Sequence, residues 1–246
     1  MEKEIAFNTL LDHLERPELK QIFRELIEIS ALPLKQIESD FAIDSTGFGT
    51  VTHVRYFDYR HGKDKRCKTW RKCHAICGVK TNIITSAEIT PGTAADITQL
   101  EVLTKATSRN FTIREFSADK GYLSKIAYNL VAELGGSAYI PFKSNSNPRS
   151  HHKGSSPTWK KMIMLFKEHQ QEFMQKYHKR SNIESCFSMI KRKFGNNVRC
   201  KKETSQDNEV MAKIVCHNIC VLIQEIFLNS INVDFRFCAK EYVARQ

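Results

Sequence analysis

The sequence contains no unbroken apolar run of about 18 residues, and its first residues do not form a secretory leader. A membrane partner is therefore not expected, and the chain reads as cytoplasmic. It has no Cys-x-x-Cys pair either. Its eight cysteines are scattered, which suits reduced thiols rather than a disulfide framework. Cys67, Cys73, His74 and Cys77 come nearest to a zinc cluster. Residues four apart on a strand, however, share a face but stand about 13 Å apart, which suits one tetrahedral ion poorly. Small buried thiols are the expectation. There is also no internal repeat and no Gly/Ser-rich linker, so one domain is the simplest organisation.

What is abundant is positive charge. The 246 residues carry a formal net charge of +11, with a sequence pI near 9.3. A chain this basic usually meets a polyanion, most often nucleic acid. The hydrophobic fraction of 41% supports a real core. Residues 51–72 concentrate the charge in Arg55, Arg60, Lys63, Lys65, Arg66, Lys68, Arg71 and Lys72, interleaved with Tyr56, Phe57, Tyr59 and Trp70. Such a mixture can bind phosphates and stack on bases. A solvated hairpin loop is the plain alternative.

Periodicity sets out the elements. Residues 1–30 read as two short helices, divided by Pro17 and ended by Pro33. Phe41 and Ile43 alternate ahead of Asp44, predicting a short strand that turns at Gly47 and Gly49. Two strands follow, over 72–79 and 83–89, with a turn near Thr81 and Asn82. A helix then turns Ile97, Leu100, Leu103 and Ala106 inward. Residues 113–119 form a strand that ends at Asp119. The next helix has Leu123, Ile126, Ala127, Leu130, Val131 and Leu134 at inward spacing, and a short strand covers 137–142. Strands alternating with helices mark an α/β sheet with crossover helices. Such sheets place ligands at the carboxyl ends of strands, where Asp119 falls.

Residues 143–158 read as a polar loop, with His151 and His152 as surface rather than a metal pair. A helix covers 159–173 and another follows from Tyr177 until Gly195 ends it. Arg192, Lys193, Arg199, Lys201 and Lys202 form a second basic cluster. A final helix over 209–228 offers Met211, Ile214, Val215, Leu222, Ile223 and Ile226 as core.

The stretch from Tyr177 to Lys191 carries chemistry. Ile183, Phe187, Ile190 and Phe194 follow helical spacing. Tyr177, Glu184 and Lys191 are seven apart, near one stripe, and Arg180 lies one turn from Tyr177. One helix face thus offers a carboxylate, two cations and a phenol, a set suited to holding a divalent metal and phosphate together. A solvated face with an Arg180–Glu184 pair is the plain alternative. Asp44 is equally two-sided. It can cap the turn after its strand, or bind a metal, since a buried carboxylate is costly without a partner.

Three motifs occur in order: Ile43-Asp-Ser-Thr-Gly-Phe48, Ala118-Asp-Lys-Gly-Tyr122, and Tyr-x2-Arg-x3-Glu-x6-Lys over 177–191, with Arg55-Tyr-Phe-Asp-Tyr-Arg-His-Gly-Lys63 between the first two. Over roughly residues 40–228 they resemble the DDE transposases of bacterial and archaeal insertion sequences. The resemblance implies an RNase H-like fold, a mixed sheet flanked by helices, over 37–230. An N-terminal helical segment, 1–36, would precede it, and a C-terminal tail, 231–246, would follow. It implies a catalytic triad of Asp44, Asp119 and Glu184 holding two Mg2+ or Mn2+ ions about 3.5–4 Å apart, for which carboxylate oxygens are suited. Arg180 and Lys191 would contact phosphates, Tyr177 would pack or donate a hydrogen bond there, and Lys120 would contact DNA.

The implied reaction is metal-dependent phosphodiester hydrolysis and strand transfer at insertion-sequence ends. Its partners would be double-stranded DNA, both transposon ends and target, and a second copy of the chain when two ends are synapsed. The implied location is a prokaryotic cytoplasm, at the nucleoid. Family members usually carry an N-terminal helical region that recognises the ends. No helix-turn-helix is legible before Asp44, so the chain reads as truncated, split or minimal. Too few residues separate Asp119 from Glu184 for a large inserted domain. Two rival functions stay open: a nuclease that cuts without joining, and a truncated or domesticated DNA-binding protein without transposition activity. A bare RNA-binding module leaves the three acidic motifs unexplained.

Overall fold

The computed structural model describes residues 7–50, 69–146 and 156–231, together with 233, 240 and 243. Five strands make one sheet: β1 (Asp40–Gly49), β2 (Trp70–Gly78), β3 (Ile84–Pro91), β4 (Glu115–Ser117) and β5 (Ser137–Tyr139), in the order β3-β2-β1-β4-β5. β1, β2 and β3 run antiparallel, while β4 joins β1, and β5 joins β4, in parallel. The helices are α1 (Phe7–Leu14), α2 (Leu19–Ala31), α3 (Ile97–Asn110), α4 (Lys125–Glu133), α5 (Pro157–Glu168), α6 (Gln170–Tyr177), α7 (Ser181–Phe194) and α8 (Glu203–Asn229). This is the mixed, helix-flanked sheet that the resemblance implies.

Strand alternation sends successive side chains to opposite faces. From β1, Phe41 and Ile43 enter one core cluster with Leu100 and Leu103 of α3, Val131 of α4 and Ile163 of α5. Ala42 and Phe48 enter the other, with Ile27 of α2, Ile183 and Ile190 of α7, and Ile214 of α8. Helices cover both faces, so the central strands are apolar on both. Full burial of an isoleucine such as Ile183 or Ile190 is worth about 1.5–3 kcal/mol.

α8 is long and apolar enough to cross a membrane by length and composition, which the search for unbroken apolar runs did not anticipate. Its polar residues nevertheless have partners inside the protein, as in a core helix. Asn218 accepts from the Ile84 amide at 2.9 Å and donates to the Ile84 carbonyl at 2.8 Å and to Ser30 at 3.0 Å. Asn208 donates to the Leu14 and Arg16 carbonyls at 2.8 and 3.0 Å. Asp207 takes Arg71 in two-pronged fashion, at 2.6 and 2.9 Å.

Several sequence expectations need correction. β1 does not turn at Gly47 but runs to Gly49. Both glycines serve close approach: a Cβ on Gly47 would meet the Trp70 indole at 3.1 Å, and one on Gly49 would meet the Asn197 side chain at 2.3 Å. Arg71 and Lys72 are not free phosphate contacts. They alternate on β2, and each face supplies an internal acid, Asp207 for Arg71 and Asp96 for Lys72. The helix expected over 159–173 breaks at His169, dividing α5 from α6. Ile126, Ile223 and Ile226 fit a helical period but are exposed among the described residues. Cys73 and Cys77 are buried free thiols as expected. Residues 51–68, with most of the basic-aromatic stretch, and His151–His152 lie outside the described residues.

Candidate active site

β1 and β4 bring two acids to one end of the sheet. Their parallel register pairs Asp40 with Glu115 and Ala42 with Ser117. Carried two residues further, it sets Asp119, just past the end of β4, level with Asp44, which lies in the middle of β1 rather than at its end as the sequence suggested. Asp119 leaves β4 and caps a short 3-10 turn, Lys120–Tyr122, its Oδ1 accepting the Gly121 amide at 2.6 Å. Asp44 Oδ1 accepts the amide of Ser45 at 2.8 Å.

The third acid comes from α7. Ile183, Cys186, Phe187 and Ile190 recur at the helical period, and that buried stripe docks α7 on β1 and β2. Glu184, in the first turn, is thereby left on the open side, with its side chain 57% exposed. A 3-10 turn, His178–Arg180, links α6 to α7. Arg180 bridges two of the acids. Its Nη1 and Nη2 donate to Glu184 Oε1 at 2.6 and 2.7 Å, and its Nη2 lies 3.4 Å from Asp44 Oδ2.

The acids share an electrostatic field. The Asp44 carboxyl is pushed above its ordinary value, mainly by burial, with Asp119 and Glu184 adding to the effect. The Ser45 amide and Arg180 oppose it. Arg180 itself loses solvation on burial, yet Asp44 and Glu184 outweigh that loss and hold its guanidinium above the ordinary value. As the side chains stand, no three His, Cys, Asp or Glu groups among the described residues are close enough together to grip one ion. Arg180 supplies a cation to two of the acids instead. The donor set still fits a hard divalent cation: the three acids offer carboxylate oxygens, and Asp44 is raised by burial first and by its acidic neighbours second, a condition a bound cation relieves.

A cleft of about 540 Å³ opens beside this group, lined by Asp44, Glu184, Ser188, Lys191, Arg192 and Asn196. Lys191 donates to Thr46 Oγ1 at 2.6 Å and stands over the Phe48 ring, and burial pushes its ammonium below the ordinary value. Residues 196–198 run back along the end of β1 and close one side, through Gly49 N to Asn196 O at 3.1 Å and Val198 N to Gly49 O at 2.8 Å.

Of the residues singled out from sequence, Asp44, Glu184, Arg180 and Lys191 gather at this cleft, and Asp119 lies alongside. Tyr177 packs against the first core cluster and bears on Arg180. Lys120 is exposed on the turn after Asp119. Sequence reasoning gave no role to Lys179, Asp96 or Tyr122. Lys179 Nζ donates to Asp40 Oδ2 and Glu115 Oε2, each at 2.6 Å, and so ties the 3-10 turn bearing Arg180 to β1 and β4. Its position between Tyr177 and Arg180 was the one available signal.

A mixed five-strand sheet flanked by helices, with two acids level on β1 and just past β4 and a third acid on a docked helix, defines an α/β protein. Residues 35–219 match the family model described as the transposase DDE domain. The chain belongs to that family, the DDE transposases of insertion-sequence type, and its sheet is RNase H-like. No curated protein matches the chain in sequence.

Proposed function

We propose that the chain is a DNA transposase that hydrolyses phosphodiester bonds at the ends of an insertion sequence and transfers the freed strands, using Asp44, Asp119 and Glu184. The observation that carries this reading is that Arg180 bridges Asp44 and Glu184, with Asp119 level with Asp44, beside a cleft that Lys191 and Arg192 also line. Two Mg2+ or Mn2+ ions are the proposed cofactors. When bound, they would supply charge neutralisation at phosphorus and a nucleophile of lowered pKa. Asp44, in the middle of β1, and Asp119, just past β4, form the fixed part of the ligand set. Glu184, on the exposed side of α7, closes it. Arg180 is the residue that must give up its carboxylate partners, and its fork suits a phosphate. Lys191 and Arg192 line the cleft as phosphate contacts. Tyr177 steadies Arg180, and Lys120 reaches solvent near Asp119 as a further DNA contact.

The partners proposed are double-stranded DNA, as element ends and target, and a second copy of the chain at synapsis. The proposed location is the prokaryotic cytoplasm, at the nucleoid. The division proposed is an N-terminal helical segment to residue 36, the catalytic domain over 37–230, and a tail. The test is cleavage and joining of plasmid DNA carrying the element's own ends, with Mg2+ or Mn2+. The intact chain should give nicked and joined products. Glu184→Gln should give neither while still binding DNA. Undiminished cleavage by Glu184→Gln would refute the assignment.

A further inference from the structure

A second polar group lies on the opposite face of the sheet, under the acids. His74 is the cross-strand neighbour of Ser45, the residue after Asp44, and is fully buried. Its Nε2 pairs with Thr90 Oγ1 at 2.8 Å, and its Nδ1 lies 3.3 Å from Asp96 Oδ1. Lys72 Nζ stands 2.7 Å from the same oxygen and donates to the Ala94 carbonyl at 3.1 Å. Asp96 is the residue just before α3, so Lys72 of β2 fixes the start of that helix, with the His74 ring beside it. α3 in turn packs against the 3-10 turn that Asp119 caps.

Tyr122 closes that turn. Its ring is fully buried in the first core cluster, yet its hydroxyl is buried with no hydrogen-bond partner among the described residues. Burial chiefly raises the hydroxyl above its ordinary value, and three carboxylates add to that, Asp96 most, then Asp44 and Asp119. Burial of a donor without an acceptor costs free energy, and native proteins keep few such groups. A phenylalanine would fill the same space without that cost. The hydroxyl is therefore unexplained by packing.

We propose that Tyr122 is a positioning residue: its hydroxyl donates its one hydrogen to a carboxylate of the Asp44–Asp119 pair and so orients that pair toward a bound divalent cation, and Asp96, held by Lys72, anchors the turn that presents it. This rests on the metal-site reading above. Donors behind the ligands commonly set metal affinity in this way. The hydroxyl lacks a partner in the metal-free arrangement and gains one when the acids turn to the ion.

The test is Tyr122→Phe, followed by two measurements: thermal unfolding of the metal-free protein, and Mn2+ affinity by calorimetry, with Glu184→Gln alongside. Tyr122→Phe should unfold at the same temperature as the parent or higher. Its Mn2+ affinity should fall about 10-fold, the scale of such outer contacts. Unchanged Mn2+ affinity, in a parent that binds Mn2+ and a Glu184→Gln protein that does not, overturns this inference alone. A lower unfolding temperature for metal-free Tyr122→Phe also overturns it, because the hydroxyl would then have a structural partner. If the parent binds no Mn2+ at millimolar concentration, the metal-site reading and this inference fall together.

Discussion

Asp40 and Asp44 stand four residues apart on β1, on the same face, and each meets a cation from the same 3-10 turn. Lys179 takes Asp40 at 2.6 Å, and Arg180 approaches Asp44 at 3.4 Å. Their carboxyls nevertheless shift in opposite directions. Burial works to raise Asp40, but Lys179 and Arg114 outweigh it and hold it below the ordinary carboxylate value of 3.8. At Asp44 burial wins, because Asp119 and Glu184 add to it and Arg180 is shared with Glu184. One strand thus carries a satisfied carboxylate and an unsatisfied one. The first is a clamp. The second costs the metal-free protein stability, as expected of a group kept for a ligand.

The comparison is broken most severely by exchanging each acid for its amide. Asp44→Asn should lower metal-dependent cleavage by about 1,000-fold or more, since a metal site supplies several kcal/mol to the transition state. Asp40→Asn should leave cleavage within a few-fold. Equal losses in the two variants, measured as single-turnover rates on the same DNA, would erase the distinction.

Removal of the clamp's cation comes next. Lys179→Met strands Asp40 and Glu115 with less than their full complement, and Asp40 is nearly buried. Breaking such a pair from one side should cost about 3 kcal/mol, read by denaturant unfolding. Stability unchanged in that variant would mean that Arg114 and Lys176 suffice.

A smaller effect separates the two acids by pH. Asp44 has a raised folded value, so its contribution is favourable below 3.8 and is lost as pH rises through the raised value. Asp40 has a lowered value, so its contribution is present above 3.8 and is lost as pH falls through the folded value. Metal-free Asp44→Asn should therefore melt above the parent at pH 7–8, and the gap should shrink as pH falls toward 3.8. Asp40→Asn should melt below the parent at pH 7–8. Melting curves across pH check both signs. Smallest of all, Gly47→Ala should displace the Trp70 indole by a few tenths of an ångström. The intrinsic tryptophan emission should shift with little loss of stability.

The acids were legible because their motifs are local: a strand, a capped glycine turn and one helix face each read within a few residues, although Asp44 lies in the middle of β1 and not at the strand end the sequence suggested. The supporting groups were not. Lys179 and Asp40 meet across 139 positions, and Arg71 and Asp207 across 136. Gly47 and Gly49 read as a turn because their partners, Trp70 and Asn197, are distant in sequence. Periodicity gave α4 and α8 their inward faces but not their limits, since Ile126, Ile223 and Ile226 fit the period and are exposed. Asn208 and Asn218 are buried in an apolar helix because backbone groups elsewhere bond them. Tyr122 stood in a motif, but only its buried, unpartnered hydroxyl gives it a role.

The central claim is that Asp44, Asp119 and Glu184 together hold divalent cations, and Mn2+ calorimetry on the intact chain and on Asp119→Ala tests it most directly. The account predicts saturable binding by the intact chain and none by the variant. Equal binding by both, or no binding by the intact chain at millimolar Mn2+, would contradict it.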